Sequence, residues 1–369
     1  MIRILHSVSN MDRGGIETML MNYYRHIDRT KVQFDFLCNK KKLGAYEAEI
    51  ESMGGRIFRT PGLNPLKFFK YQAYMKKLFR ENPEYRIVEA HNGAFGLFSL
   101  IAACKARIPV RIFHAHGASI TKDWKLPLKI LCKKILPLNI NQRFSCGIAA
   151  ARCYFGEKIV QTQDYVIVNN AIEIERFLFN AEVRERIRKR NGLADKFIVG
   201  HVGRFMAQKN HEYLLEIFAA LKEREPNAHL VLLGDGELKE AMEEKADQMN
   251  IRDSISFMGN VENTNEWYQA FDVMVLPSIW EGLPLVGVEA QAADLPCVFS
   301  DSITREVGIL EKTVFVGIDE GIEAWVTTIQ NKKKEIQRGN VRDLIAQSGY
   351  DISTEVVKLQ EWYMKLAGV

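Results

Sequence analysis

Phe197-Ile198-Val199-Gly200-His201-Val202-Gly203-Arg204-Phe205-Met206-Ala207-Gln208-Lys209-Asn210-His211 opens with six mostly apolar residues. It turns at a glycine, crosses a cationic loop and enters a helical pattern predicted over 211–224. A strand that feeds a helix in this way is the start of a β-α-β crossover, which demands a parallel sheet. The pattern repeats downstream. Strands are predicted at 229–233, 254–258, 273–276 and 297–299, with helices at 237–250 and 285–293. It also repeats upstream, with strands at 3–8, 33–38, 56–59, 87–90, 110–114 and 144–149 and helices at 16–27, 66–80 and 93–107. Two doubly wound parallel-sheet domains of α/β class follow from this alternation. The predicted division is 1–170 and 171–350. The amphipathic segment 351–369, with Val356, Leu359, Trp362 and Tyr363 at helical spacing, is expected to pack back on the first domain.

The chain has 369 residues, enough for two cores, and is 47% apolar and 26% charged. Its formal charge of +4 hides a split. Through Asn170 there are 27 Lys and Arg against 13 Asp and Glu; after it there are 23 against 33. A basic half joined to an acidic half suggests an anionic partner for the first half. No apolar run reaches the roughly 18–20 residues that span a bilayer. The first residues, Met1–His6, are too polar for a signal peptide. Six scattered cysteines form no metal spacing. A cytoplasmic chain is expected, with peripheral contact to an anionic membrane as one use of the basic half.

Ligands in open α/β sheets bind beyond the carboxyl ends of the strands, so the residues there are the candidates. After the first strand, Gly14-Gly15-Ile16-Glu17 begins a helix, a setting that suits phosphate. After the strand ending near Gly203, Arg204 and Lys209 flank a short loop before a helix. Arg can grip oxygens in a fork, and Lys adds a point charge. After the strand ending near Leu276 comes Pro277-Ser278-Ile279-Trp280-Glu281-Gly282-Leu283-Pro284-Leu285-Val286-Gly287-Val288-Glu289. Gly282 permits a turn, and Pro284 is predicted at the first helical position. Glu289, one turn on, is a carboxylate among apolar residues and needs a partner. It serves either ligand hydroxyls or a structural salt bridge. His114-Ala115-His116-Gly117 closes the fifth strand; with no clear further ligands nearby a metal site is disfavoured, and His116 serves either a hydrogen bond to a ligand or a structural role.

These residues resemble the GT-B glycosyltransferases of glycosyltransferase family 4, over nearly the whole chain. Gly203-Arg204 with Lys209, Leu233-Gly234-Asp235-Gly236, Pro277-Ser278, and the pair Glu281…Glu289 occur in family order, the last matching an E-x7-E motif. Asn170-Ala171-Ile172-Glu173 resembles an N-G-[IV]-D connector, and Gly14–Glu17 a G-G-x-E loop. Two departures stand out. A Ser-Glu or Ser-Asn pair is missing near Cys146-Gly147, and Asp294 replaces a frequent glycine after the Glu289 helix.

The resemblance implies an acceptor-binding first domain, a donor-binding second domain, and similarity to capsular and exopolysaccharide enzymes. It implies retaining transfer from a nucleotide-diphosphate sugar, a UDP-sugar being favoured, with no metal and no cofactor. Glu289 would hold the ribose, and Arg204 and Lys209 the pyrophosphate. Glu281 and the backbone over Gly282, Leu283, Pro284 and Leu285 would contact the sugar. Gly15 and Gly203 would lie by the phosphates, His116 by the sugar, and Gly259 and Asn260 at the base pocket. His116, Arg204, Lys209 and Glu281 would be the catalytic set. The acceptor would be a glycan or a lipid-linked saccharide. A nucleotide-sugar epimerase and a non-catalytic nucleotide-sugar binder are the alternatives. No aromatic-basic platform supports a nucleic-acid partner.

Overall fold

The strand Val32–Cys38 is buried at every position. A strand hidden on both faces belongs inside a parallel sheet clad by helices on either side. The computed structural model describes residues 1–120, 123–335 and 337–369. It divides into two units, Met1–Ala171 with Ile352–Val369, and Ile172–Asp351.

In the first unit seven strands pair in the order β3-β2-β1-β4-β5-β6-β7. They are β1 (Ile2–Val8), β2 (Val32–Cys38), β3 (Ile57–Arg59), β4 (Ile87–Ala90), β5 (Val110–Ala115), β6 (Gln142–Ser145) and β7 (Val166–Ile167). All six pairings are parallel. The chain reverses its direction of travel across the sheet between β1 and β4, the switch point at which such sheets open to ligands. Register there sets His6 opposite Glu89. The last helix, Ile352–Ala367, belongs to this unit and buries Val356, Leu359 and Tyr363. Its Gln360 accepts a hydrogen bond from the Asp28 amide at 2.9 Å.

The second unit repeats the scheme with β8 (Phe197–Val202), β9 (Ala228–Leu233), β10 (Ile255–Gly259), β11 (Val273–Leu276), β12 (Cys297–Ser300) and β13 (Thr313–Val316). They pair in the order β10-β9-β8-β11-β12-β13, again all parallel. Leu214, Phe218, Leu230, Val275 and Trp325 are among its core residues. The Trp325 indole donates to the Gly317 carbonyl at 3.0 Å, so the largest core side chain leaves no orphan donor.

Three expectations fail locally. The sixth strand stops at Ser145, not Ala149, and a helix runs over Ile148–Phe155. The alanine-rich run after Gly147 is strongly helix-forming, and periodicity alone does not separate it from a buried strand. The strands β7 and β13 are missing from the sequence reading: β7 has only two residues, and β13 is a half-buried edge strand without the continuous burial of β4 and β11. Pro284 stands one place earlier than expected, as the residue preceding the helix Leu285–Ala292. Among the described residues no helix is long and apolar enough to cross a membrane.

Gly234 shows how tightly the second unit's loops are threaded. It lies at φ +140°, and a Cβ there would stand 2.0 Å from the Gly203 carbonyl oxygen. That obstacle is backbone and cannot swing aside. Gly234→Ala is therefore expected to lower the unfolding free energy by at least about 2 kcal/mol, measured by urea denaturation.

Candidate active site

The strand order of the second unit puts β8 beside β11, so the loops that follow them run side by side. They are stitched by backbone and side chain alike. The Ile279 amide donates to the Gln208 carbonyl at 2.9 Å. The Asn210 side chain donates to the Pro277 carbonyl at 3.2 Å, and the Gln208 amide to the Trp280 carbonyl at 2.9 Å. Asn210 itself adopts a left-handed conformation, φ 57°, and starts the helix His211–Arg224. Asparagine tolerates this region better than other side chains with a Cβ.

This stitching brings Lys209 and Glu281 together. The Lys209 ammonium lies 2.5 Å from Glu281 Oε1, with the two side chains only 13% and 10% exposed. Ser278 donates to the same oxygen at 3.1 Å, and Gln208 to Oε2 at 3.0 Å. Both oxygens of this buried carboxylate are thereby satisfied, the condition for keeping a charge there. An ammonium has three N–H donors, so the pairing leaves Lys209 donors for a second anion. Arg204 is exposed at the start of the same loop, and Gly203 precedes it at the end of β8.

Behind the loop the packing is dry. Phe205 stacks on His211 with ring centroids 4.0 Å apart, and His201 lies 4.7 Å from His211. Burial drives both histidines toward the neutral form, His201 to about 3 and His211 to about 2, with the Lys209 charge acting the same way. A neutral bed beneath Lys209 adds no competing charge to the loop.

Glu289 sits on the helix Leu285–Ala292, half-buried, and accepts a hydrogen bond from the Tyr268 hydroxyl at 2.8 Å. Burial raises its pKa, while the Tyr268 bond and the charge of Arg176 pull it back. Its hydrogen-bond donor is a neutral phenol from the helix Thr264–Ala270. Leu283, Pro284 and Leu285 are buried at the mouth of this helix, and Gly282 is half-buried. Gly259 ends β10 at φ +67°, followed by the exposed Asn260. Asp294, in the place of the frequent glycine, adopts φ 51°. Its carboxylate meets the cost by accepting from Lys312 at 2.8 Å and from the Gly339 amide at 2.6 Å.

In the first unit Gly15 is exposed and begins the helix Gly15–His26, with open space where a Cβ would be. No steric demand for glycine exists there within the protein. His116, one residue past β5, does not stand alone. His6, Glu89, His91 and His114 gather with it, and all four are essentially excluded from solvent. The sequence reading missed the partners, although the alternation Glu89-x-His91 and His114-x-His116 at two strand ends was a usable signal. It also missed Tyr268 and Gln208 and gave Ser278 no role; these three hold the two proposed carboxylates.

Two parallel sheets of this order make two Rossmann-like units, the architecture of the GT-B glycosyltransferases. Family comparison agrees. Residues 13–176 match the model "Glycosyltransferase Family 4" and residues 183–331 match "Glycosyl transferases group 1". The putative glycosyltransferase EpsF of Bacillus subtilis (strain 168) is 38% identical, across 98% of this chain and 96% of the relative. The UDP-Gal:alpha-D-GlcNAc-diphosphoundecaprenol alpha-1,3-galactosyltransferase of Escherichia coli is 28% identical across 99% and 97%. Among solved structures, Anabaena Alr3699/HepE in complex with UDP-glucose aligns with a TM-score of 0.79 at 17% identity, covering 99% of this chain and 100% of that one. The chain belongs to glycosyltransferase family 4.

The Tyr268 hydroxyl stabilises the ionised form of Glu289. Removing it in Tyr268→Phe is expected to move the Glu289 titration upward, away from the ordinary carboxylate range. Carbon-13 NMR of glutamate-labelled protein reads this directly, and an unmoved or lowered midpoint would contradict the assignment.

Proposed function

We propose that the chain transfers a sugar from a nucleotide-diphosphate donor, a UDP-sugar by preference, to a glycan or lipid-linked acceptor in surface polysaccharide biosynthesis. Transfer retains the anomeric configuration and uses no metal ion or cofactor. The observation that carries this reading is the Lys209–Glu281 pair, held by Ser278 and Gln208 beside the loop that begins the Glu289 helix. The comparisons support it from outside. The E. coli relative is named for UDP-galactose and a diphosphoundecaprenol acceptor, and CapH of Staphylococcus aureus, 25% identical, for capsular polysaccharide biosynthesis.

Departure of a nucleoside diphosphate builds negative charge on phosphate and positive charge at the anomeric carbon. Arg204 and the remaining N–H donors of Lys209 stabilise the first, together with the positive end of the helix dipole near Leu285. Glu281 fixes Lys209 in place without cancelling its reach. Glu289 accepts from the ribose hydroxyls, with Tyr268 orienting it. Gly15, Gly203, Gly259, Asn260 and the segment Gly282–Leu285 complete the donor contacts on the family resemblance. His116 is assigned to the donor sugar. The leaving phosphate itself takes the acceptor proton, on the same face as departure.

Binding comes first in testing this. A thermal-shift panel of uridine, guanosine and adenosine diphosphate sugars is expected to favour a uridine nucleotide. Glu289→Ala is expected to abolish that shift while leaving the unliganded melting temperature within a few degrees. Arg204→Ala is expected to lower turnover roughly ten- to thousandfold; an effect below twofold removes it from the site. Sugar conversion with no acceptor present would instead identify an epimerase.

The basic first unit offers a surface for a lipid-linked acceptor. Leu66, Phe69, Trp124 and Leu138 are between 79% and 94% exposed. Lys67, Lys70 and Lys134 stand exposed among them. Apolar tips set among lysines suit an anionic bilayer surface. The protein is expected to float with anionic vesicles at low salt, to be released at high salt, and to ignore neutral vesicles. Absence of flotation at low salt would reject the membrane contact.

A further inference from the structure

The buried polar cluster of the first unit is larger than any role for His116 alone requires. Parallel register places His6 of β1 opposite Glu89 of β4. Alternation then puts His91 on the same face as Glu89, and His116 on the same face as His114 of β5. The last helix lays Tyr363 against this face, its ring centroid 6.4 Å from that of His6. Two hydrogen-bonded lines result. In one, His116 Nε2 meets His91 Nδ1 at 2.8 Å, and His91 Nε2 meets His6 Nδ1 at 3.1 Å. In the other, the Tyr363 hydroxyl donates to Glu89 Oε2 at 2.6 Å, and His114 Nδ1 meets Glu89 Oε1 at 2.7 Å. The lines touch where Glu89 Oε1 lies 3.6 Å from His91 Nε2, and where the rings of His114 and His116 stack with centroids 4.1 Å apart.

A neutral imidazole has one donor and one acceptor nitrogen. Burial holds all four rings neutral, His6 at about 4, His114 at about 3, and His91 and His116 well below the ordinary value. Each nitrogen–nitrogen contact needs one proton between its atoms, so the tautomers of His6, His91 and His116 are locked in series. Only two arrangements exist: all three protons on Nδ1, or all three on Nε2. The buried atoms without partners decide between them. They are His6 Nε2 and His114 Nε2. An orphaned N–H is the rarer and costlier of the two defects. His114 turns Nδ1 to Glu89 Oε1, so its Nε2 is the nitrogen left without a partner. Protons on Nδ1 throughout leave both orphans as lone pairs.

We propose that His91 and His6 are positioning residues that hold His116 as the Nδ1–H tautomer, offering one fixed hydrogen-bond donor to the bound sugar, and that Tyr363, Glu89 and His114 fix where the rings of His91 and His116 lie. This rests on the assignment of His116 to the donor sugar above. The last helix thereby becomes part of the active unit, through one tyrosine hydroxyl. The ring nitrogens of His91, His114 and His116 also lie within 4.8 Å of one another, a spacing open to a metal. Ligand nitrogens around tetrahedral zinc stand about 3.3 Å apart with their lone pairs turned to the ion. The 2.8 Å contact between His91 and His116 is the length of a shared proton instead.

Nitrogen-15 NMR of the full chain labelled in its histidine rings reads the tautomers without turnover, so it tests the relay even if sugar transfer fails. Protonated Nδ1 in His6, His91 and His116 is the expected result. A proton on His116 Nε2, or stoichiometric zinc in the purified protein, overturns the proposal. Kinetics adds a second readout. His91→Leu is expected to lower kcat about ten- to hundredfold with the donor KM changed less than twofold. His91→Gln can donate to His116 Nε2 and accept from His6 Nδ1–H, and is expected to recover kcat to within about threefold of the parent. Equal loss in both variants, or none in either, contradicts the relay. If His91→Leu does not fold, Tyr363→Phe takes its place, with a moved His114 ring signal and a lowered kcat expected. An unchanged signal and rate contradict the proposal.

Discussion

Parallel pairing of every strand is the constraint on which the rest depends. In both sheets all strands point the same way, so every carboxyl end, and every loop that follows one, emerges at one edge. Residues far apart in sequence are delivered to neighbouring loops with no further instruction. Lys209 and Glu281 are separated by 72 positions, yet meet because β8 and β11 are adjacent. His6, His91 and His116 meet for the same reason across β1, β4 and β5. Side-chain alternation along each strand then selects which residues share a face.

The two units solve the problem of burying polar groups in opposite ways. In the second, a cationic and an anionic side chain are paired: Lys209 with Glu281, whose two oxygens also accept from Ser278 and Gln208. In the first, charge is largely removed. Four imidazoles are driven neutral by burial; His6, His91 and His116 bond to one another, and Glu89 is answered by Tyr363 and His114.

Much of this was legible in the sequence because it is local. The segment 197–211 carries strand, glycine, loop and helix start in fifteen residues, and its boundaries appear where the pattern sets them. Glu289 was legible as a carboxylate out of place on an apolar helix. Its partner was not, because Tyr268 lies on a different helix and only packing joins them. The same limit applies to Lys209, whose pairing with Glu281 requires knowledge of strand order. Ile148–Phe155 failed for another reason: short alanine-rich apolar runs satisfy helix and strand templates equally, and the tertiary setting decides.

Asp294 shows how a departure from pattern can be absorbed. The chain needs a left-handed residue to leave the Glu289 helix, and glycine supplies that at no steric cost. Aspartate accepts the strain only because its short carboxylate is anchored by Lys312 and the Gly339 amide. That anchoring ties the exit of the Glu289 helix to the segment after the helix Ile322–Lys332. Arg338 reinforces the tie, donating to the carbonyl of Ala293 at 2.7 Å and to that of Tyr268 at 2.9 Å. Tyr268 is the residue that holds Glu289. The replacement of a permissive glycine by a charged side chain thus leaves the proposed ribose carboxylate braced from both its own helix end and its hydrogen-bond donor.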